Sequence, residues 1–232
     1  MRRMVATMKG GIALRRILFV CTGNTCRSPM AEALLRKKAD ERGLFLEVKS
    51  AGVSALPGVA ASSPAVEVLA EKGINNRDHR SQPMTKELLK WADLVLTMTR
   101  SHHQWLIHSY PEAVDKAHTL KEWVWKQEVG QEQRWQERDR LLVELETRRA
   151  MKARAQMDGD QERVVLFDRE LRKIAERLEE ISEGLNELQE DPDVVDPFGG
   201  DVDCYRQTAK EMEEWIERMI QLLLSDGQEQ QE

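Results

Sequence analysis

Apolar residues along this chain follow two patterns, and each pattern predicts a different kind of structure. Up to residue 124, short apolar runs alternate with amphipathic stretches. Residues 17–20, Ile-Leu-Phe-Val, are typical of a strand buried in a parallel sheet. We predict further strands at 44–50, 93–99 and 116–120, and helices from residue 28 and at 64–72, 85–92 and 101–109. This alternation predicts an α/β fold, a four-stranded parallel sheet with helices on both faces.

The second pattern occupies residues 125–192, where charged residues are frequent and no strand is predicted. Apolar residues recur there at alternating steps of three and four, at Val164, Phe167, Leu171, Ile174, Leu178, Ile181, Leu185 and Leu188. Such a heptad seam indicates a helix that packs along another helix. A weaker seam at Trp135, Leu142 and Leu145 precedes the turn residues 158–160, Asp-Gly-Asp. We therefore predict an antiparallel helical hairpin, a coiled coil inserted into the sheet domain.

Core-like sequence returns after Pro192 and ends in an amphipathic helix over 203–224. The sheet domain is thus predicted to comprise residues 15–124 and 193–226, interrupted by the hairpin at 125–192. The first sixteen residues carry five basic side chains and no acidic one, and Lys9 with Gly10-Gly11 breaks the only apolar stretch that could resemble a signal peptide. We expect residues 1–14 to form a disordered arm.

The composition narrows the class of function. The net charge of −6 gives no electrostatic basis for binding nucleic acid, which requires a basic face. The sequence contains no apolar run of the roughly 18 residues that a membrane span requires. Three cysteines without paired spacing argue against a secreted disulfide framework, so we expect a cytoplasmic protein.

One loop combines residue types suited to phosphoryl transfer. Cys21 and Arg27 are separated by five residues, between the first predicted strand and a helix predicted to begin with Ser28 as N-cap and Pro29 as first residue. A loop that curls into a helix N-terminus directs its N–H groups inward and binds anions, and Arg27 adds a planar pair of donors. The same positive field favours the thiolate form of Cys21, which is the nucleophile. Ser28 can donate a hydrogen bond to the sulfur, and Asn24 can hold the loop.

Residues 19–32, Phe-Val-Cys-Thr-Gly-Asn-Thr-Cys-Arg-Ser-Pro-Met-Ala-Glu, resemble the phosphate-binding loop of the low-molecular-weight protein tyrosine phosphatases. Ser-Ala-Gly at 50–52, Ala-Asp-Leu-Val-Leu at 92–96 and Asp196-Pro197 resemble other landmarks of that family, in the family's order. The resemblance covers residues 15–124 and 193–224 and implies a phosphotyrosine phosphatase I-like fold.

The resemblance also implies a role for each matching residue. Cys21 would attack phosphorus and form a thiophosphate intermediate, Arg27 would bind the phosphoryl oxygens, and Asp196 would protonate the leaving group and then activate water. The residues expected to surround the bound phosphate are Thr22, Gly23, Asn24, Thr25, Cys26 and Ser28. Cys26 either forms a reversible disulfide with Cys21 or packs the loop as a small buried residue. No cofactor is implied, and no histidine has the spacing of a metal ligand.

Within the family, the chain is most similar to the bacterial protein-arginine phosphatases. Thr25 stands where tyrosine-specific members usually carry a larger aliphatic residue, and the resemblance implies that threonine favours phosphoarginine. Phe-Gly-Gly at 198–200 and Leu56 stand where those members usually place aromatic walls for a phenyl ring. The resemblance therefore favours phosphoarginine on proteins as substrate, with phosphotyrosine as the alternative.

The predicted hairpin supports a function of another class. A regular heptad seam can recruit a partner helix or form a dimer, which would make this chain an interaction module carried on a phosphatase core. Alternatively, the two helices of the hairpin satisfy each other and leave no seam for a partner.

Overall fold

The computed structural model describes residues 6–8, 12–129, 132–186 and 191–225. The strands are β1 (Ala6–Met8), β2 (Ile12–Leu14), β3 (Arg16–Cys21), β4 (Glu47–Gly52), β5 (Leu94–Thr97) and β6 (Ala117–Thr119). The helices are α1 (Arg27–Glu41), α2 (Ser63–Glu71), α3 (Lys86–Trp91), α4 (Arg100–Ser109), α5 (Leu120–Val129), α6 (Glu132–Met157), α7 (Gln161–Asn186) and α8 (Val202–Ser225). None of these helices is both long enough and apolar enough to cross a membrane.

The central sheet has the order β4-β3-β5-β6, and every pairing in it is parallel. The predicted four-stranded parallel sheet is confirmed. Strand β3 lies between β4 and β5, so both of its edges are paired, and residues 17–20 have no exposed surface. A strand covered on both faces needs no polar alternation, which explains its uninterrupted apolar run.

Helices cover both faces of the sheet, as predicted. Ile17 and Phe19 pack into a core with α1, α2, α5 and α8, whereas Leu18 and Val20 face a second core with α3 and α4. The carboxyl ends of parallel strands meet at one edge, so the loops that follow β3, β4 and β5 gather there.

The start of α1 differs from the prediction. The helix begins at Arg27 with Cys26 as its N-cap, not at Ser28 and Pro29. Pro29 is therefore the third helical residue, where a missing N–H costs little because first-turn N–H groups have no partner within the helix. The first turn of α1 consequently opens directly onto the loop after Cys21.

The second predicted strand is also displaced, because β4 covers 47–52 rather than 44–50. Leu44 belongs to the end of α1 instead: its N–H donates to the carbonyl of Ala39 at 2.9 Å, just after Gly43, whose φ is 69°. This is the bonding pattern by which a helix closes through a left-handed glycine.

The predicted antiparallel hairpin is present as α6 and α7, joined by the turn at 158–160 with Gly159 at φ 71°. Val164, Phe167, Ile174 and Ile181 are buried, and the seam packs on α6 through contacts such as Leu141 with Ile181. Ion pairs also join the two helices, including Arg148–Glu170 at 2.8 Å and Lys152–Asp168 at 2.6 Å. The side chains of Trp135 and Leu185, and Leu188 altogether, lie outside the described residues.

The insertion begins later than predicted. Helix α5 runs to Val129, and Trp125 is buried in the core, where its ring meets that of Trp215 edge-on at 5.2 Å between centroids. The boundary at 124/125 is therefore wrong, since it cuts a helix whose apolar face completes the sheet domain. Charge density rises before that face ends, which is why composition placed the boundary too early.

The expectation of a disordered arm over residues 1–14 is wrong for the residues that the structure describes. Strands β1 and β2 pair antiparallel, with Ala6 opposite Leu14 and Met8 opposite Ile12. Leu14 is 1% exposed and belongs to the same core as α8. Burial of this side chain anchors the β1–β2 strand pair to the sheet domain. Residues 1–5 and 9–11 of the predicted arm lie outside the described residues.

Candidate active site

Cys21 is the last residue of β3, and the loop that follows leads directly into α1. The Cys21 side chain is buried, its Sγ lies 3.0 Å from Ser28 Oγ, and the Asn24 N–H donates to it at 3.3 Å. Ser28 Oγ also lies 3.3 Å from the carbonyl oxygen of Ala51. The single serine proton can serve only one acceptor, and a negatively charged sulfur is the stronger one. Both groups are therefore placed to bond the Cys21 sulfur.

Asn24 holds the loop in shape. It is fully buried and has φ 55°, a left-handed conformation that asparagine tolerates better than most residues. Its Nδ2 donates to Ser28 Oγ at 2.9 Å and to Ser50 Oγ at 2.8 Å, while its Oδ1 accepts from the N–H of Gln82 at 2.9 Å. His79 Nε2 lies 2.8 Å from its carbonyl oxygen. Every polar group of this buried side chain thus has a partner.

A second layer of polar residues extends from Ser50 to the surface. Ser50 Oγ donates to Glu32 Oε2 at 2.5 Å, and Glu32 Oε1 pairs with Arg36 at 2.5 Å. The sequence includes Ser50 in a landmark triplet and Glu32 at the end of the motif over residues 19–32, but neither pattern indicates that the two side chains meet. The structure alone connects this carboxylate to the Cys21 loop.

Gly52 allows the loop to lie directly against the end of β4. A Cβ atom at this position would stand 2.5 Å from the Thr22 carbonyl oxygen and 2.9 Å from the Asn24 nitrogen. Both contacts are with backbone atoms, which cannot rotate away. The landmark triplet at 50–52 therefore has a steric reason for its glycine.

His102 supports the loop from α4. Its Nε2 lies 2.8 Å from Thr22 Oγ1, and its Nδ1 lies 2.8 Å from Thr99 Oγ1. Burial, together with the charge of Arg27, lowers the pKa of His102 to about 4, although Asp196 opposes the shift. His102 is therefore neutral at pH 7. Sequence reasoning missed this role, because it tested the histidines only for metal-ligand spacing.

Arg27 and Asp196 meet across the mouth of the loop. Arg27 Nη2 lies 2.5 Å from Asp196 Oδ2, and Nη1 donates to the Val194 carbonyl at 3.3 Å. The Arg27 side chain is 5% exposed and that of Asp196 is 48% exposed. The Phe198 N–H donates to Asp196 Oδ1 at 3.2 Å. The guanidinium is thus fixed inside the site, and the carboxylate stands at its solvent edge.

The other predicted loop residues lie around the same turn. Thr22 bonds His102, a Cβ added at Gly23 would lie 3.6 Å from Thr25 Oγ1, and Thr25 is half-buried with its Oγ1 3.6 Å from Cys26 Sγ. Cys26 is buried, and its Sγ lies 3.4 Å from Ser62 Oγ and 3.2 Å from the hydroxyl of Tyr205. Burial and the Cys26 thiol raise the pKa of Tyr205. Cys21 and Cys26 are both free thiols, and Cys26 packs the loop against the residue that precedes α2 and against α8.

A cavity of about 610 Å³ lies beside Asp196, between residues 195–200 and the first turns of α8. Phe198 is 78% exposed at its rim, and Leu56, on the loop after β4, is 73% exposed. Neither of these two side chains is packed into a core. Among the described residues, no group of histidine, cysteine, aspartate or glutamate side chains is arranged to hold a metal ion.

Comparison with known proteins gives consistent matches. The family model described as low molecular weight phosphotyrosine protein phosphatase matches residues 16–136, just over half of the chain. A protein-arginine-phosphatase of Bacillus subtilis is 36% identical over 210 residues, covering 90% of this chain and 97% of that protein. A protein-arginine-phosphatase of Geobacillus stearothermophilus is 54% identical over 109 residues, covering 47% of this chain and 71% of that protein.

Solved structures give the same family. The YwlE arginine phosphatase from Geobacillus stearothermophilus superposes with a TM-score of 0.62 at 34% identity, covering 93% of this chain and 96% of that one. A low molecular weight protein tyrosine phosphatase from T. tengcongensis superposes with a TM-score of 0.60 at 35% identity, covering 89% and 98%. The loop geometry, the parallel sheet and these matches agree, and the chain belongs to the low molecular weight phosphotyrosine protein phosphatase family.

Proposed function

We propose that this chain is a cysteine-dependent protein phosphatase that hydrolyses phosphoarginine on proteins, with Cys21 as nucleophile, Arg27 as phosphate ligand and Asp196 as general acid. The main support is the convergence of three groups on one loop. A buried thiol with two hydrogen-bonding neighbours lies at its centre, a buried guanidinium at its end, and a half-exposed carboxylate opposite. This is the set of groups that phosphoryl transfer to sulfur requires.

In the first step, Cys21 attacks phosphorus. The S–P bond forms, the P–N bond to the substrate breaks, and Asp196 gives a proton to the departing guanidino nitrogen. Arg27 and the loop N–H groups bind the phosphoryl oxygens as their charge develops. A bound phosphoryl group would compete with Asp196 for Arg27 Nη2, so we expect substrate binding to release the carboxylate from this ion pair and let it take up the proton that it then donates.

In the second step, water attacks the phosphorus of the thiophosphate. Asp196 takes a proton from the water, the S–P bond breaks, and Cys21 leaves as a thiolate. The Ser28 hydroxyl and the Asn24 N–H, at 3.0 and 3.3 Å from the sulfur, stabilise the charge that returns to it. Inorganic phosphate is then the product held by the loop. The other loop residues, Gly23, Thr25 and Cys26, would border the bound phosphate.

Phosphoarginine is favoured over phosphotyrosine by the two relatives named protein-arginine-phosphatase and by Thr25. Thr25 is half-buried beside Cys26. A guanidino group suits a smaller and more polar slot than a phenyl ring, which gains from aromatic walls. Phosphotyrosine remains the second candidate, because other relatives of this chain carry the name low molecular weight protein-tyrosine-phosphatase.

The test compares turnover on a phosphoarginine peptide and a phosphotyrosine peptide of the same sequence, with Cys21→Ser as the blank. We expect a preference for phosphoarginine, and Thr25→Ile should shift activity toward phosphotyrosine. A preference for phosphotyrosine in the unaltered chain would refute the substrate and keep the mechanism. Turnover that survives Cys21→Ser would refute the mechanism itself.

We also propose that the inserted hairpin is a coiled coil that binds a partner helix or a second copy of the chain. Several apolar side chains near its tip are exposed: Met157 at 84%, Leu166 at 51% and Val165 at 45%. The test removes two heptads from each helix, residues 144–157 and 161–174, which keeps the seam in register and retains the turn at 158–160. Loss of association with unchanged turnover would support this role, and an unchanged oligomeric state with no lost partner would contradict it.

We propose a cytoplasmic location for the protein and phosphorylated proteins as its partners. The support is chemical: Cys21, Cys26 and Cys204 are all free, and a phosphatase that uses a thiolate requires a reducing compartment. Fractionation of cells that express the full chain tests this location. Recovery of the protein outside the cytoplasmic fraction would contradict it.

A further inference from the structure

A buried cluster of charges joins the inserted hairpin to the sheet domain, away from the Cys21 loop. Glu122 of α5 is 2% exposed, and Arg138 of α6 is 8% exposed. Arg138 Nη1 donates to Glu122 Oε1 at 2.9 Å, and Arg138 Nη2 donates to Asp139 Oδ1 at 3.1 Å. His118 Nδ1 lies 3.8 Å from Asp139 Oδ2. Charges buried this deeply are retained only when they are paired and bonded, so the geometry of this cluster is tightly fixed.

Arg100 links the same glutamate to the segment that carries Asp196. Arg100 Nε lies 3.4 Å from Glu122 Oε1, and the Arg100 backbone N–H donates to Asp193 Oδ1 at 2.7 Å. Lys121, next to Glu122, donates to the carbonyl oxygens of Asp191 and Asp193, each at 2.9 Å. The segment from 191 to 196 is thus held by residues at the starts of α4 and α5.

Arg138 supplies the charge that keeps Glu122 ionised. Burial alone would raise the pKa of Glu122, but attraction and hydrogen bonding to Arg138, with a smaller contribution from Arg100, outweigh it and lower that pKa to about 2. Arg100 is the weaker partner, because its side chain is 45% exposed and its contact is longer. Without Arg138, the buried carboxylate of Glu122 would attract the Arg100 side chain more strongly and displace Arg100. Because the Arg100 backbone N–H bonds Asp193, Asp193 would move with it.

We propose that Arg138 of the inserted hairpin is a positioning residue for Asp196: it fixes Glu122, which together with Arg100 and Lys121 sets the place of the acid-carrying segment. This inference rests on the proposed role of Asp196 as general acid. The hairpin then contributes to catalysis through its base, while its tip stays free for other contacts.

The experiment exploits the dependence of acid catalysis on the leaving group. Phenyl phosphate needs a proton on its departing oxygen, whereas 4-nitrophenyl phosphate needs little help. In the full-length chain, Arg138→Met should lower kcat/KM, which reports only the first chemical step, by about tenfold for phenyl phosphate and by less than about twofold for 4-nitrophenyl phosphate. Inhibition by inorganic phosphate should be unchanged, because the Cys21 loop is untouched. Arg138→Lys should recover part of the lost kcat/KM for phenyl phosphate.

Two further variants separate this effect from general destabilisation. Arg177→Met removes an arginine that joins the two hairpin helices through Glu137 at 2.9 Å but belongs to an exposed pair, and it should leave both kcat/KM values unchanged. Glu122→Gln breaks the same link from the core side and should reproduce the selective loss, even if Arg138→Met fails to fold. Equal losses on both substrates, or no loss, would overturn the proposal.

Asp196→Asn separates this inference from the function it rests on. It should show a larger loss with the same dependence on leaving group. If Asp196→Asn shows that dependence and the Arg138 and Glu122 variants do not, only the positioning role is wrong. If Asp196→Asn shows no such dependence, Asp196 is not the acid, and the positioning role is refuted with it.

Discussion

Acidification from pH 7 to pH 5 should destabilise this protein, and His102 should account for a defined part of the loss. In the folded chain His102 is buried between Thr22 and Thr99, and its pKa is lowered from 6.5 to about 4. In the unfolded chain the same imidazole takes up a proton near its ordinary pKa of about 6.5. Between these two values the unfolded state binds more protons, so falling pH favours unfolding.

The size of the effect follows from the two pKa values. Above pH 6.5 the lowered pKa of His102 reduces the unfolding free energy by almost nothing. This reduction in unfolding free energy grows as the pH falls toward 4. At pH 5 the difference in proton binding amounts to about 2 kcal/mol. Domains of this kind are stable by roughly 5–15 kcal/mol, so this single side chain should be visible in an unfolding curve.

The assay is urea unfolding of the unaltered chain and of His102→Gln at pH 7 and pH 5, followed by tryptophan fluorescence. Glutamine can still bond Thr22 but does not titrate. The pH-dependent loss of unfolding free energy should therefore be smaller in the variant by about 2 kcal/mol. His103 and His118, whose pKa values are also lowered by burial, contribute equally to both proteins and cancel. Identical losses in the two proteins would refute the reasoning.

Three further outcomes are expected. Gly52→Ala should lower the unfolding free energy by more than about 2 kcal/mol, because its Cβ would stand 2.5 Å from the Thr22 carbonyl oxygen. Gly23→Ala, whose Cβ would have its nearest neighbour 3.6 Å away, should lower it far less. Equal losses in a urea unfolding measurement would contradict the steric account. Asn24→Ala should leave the buried partners of Asn24 unpaired. It should therefore lower the unfolding free energy, measured by heat or urea, by roughly 2–4 kcal/mol and also lower kcat. An unchanged unfolding free energy and kcat would contradict the role of Asn24 in holding the loop. Ile174→Ala should cost about 2–4 kcal/mol within the hairpin, measured by hydrogen exchange of α7, and a normal exchange rate would show that the seam is not packed.

Local patterns in the sequence predicted much of this protein. The apolar run at 17–20, the seam from Val164 to Ile181 and the Asp-Gly-Asp turn each depend on neighbours within a few residues, and the structure contains all three. The Cys21 loop was recognisable for the same reason, since cysteine, arginine and a helix start lie within eight residues. When the residues of a site lie close together in the sequence, their spacing can be recognised without the tertiary structure.

Local sequence patterns could not predict contacts between residues that are far apart in the chain. His102 meets Thr22, and Glu32 meets Ser50, through the packing of separate elements, and no spacing in the chain records either contact. The predicted boundary within α5 and the predicted disorder of the N-terminal strands were wrong. Both were based on changes in composition, which do not indicate which apolar residues pack against other elements. The link from Arg138 to Glu122 belongs to the same class. Burial decides which of many charged residues are paired inside the protein, and burial exists only once the helices have packed around the sheet.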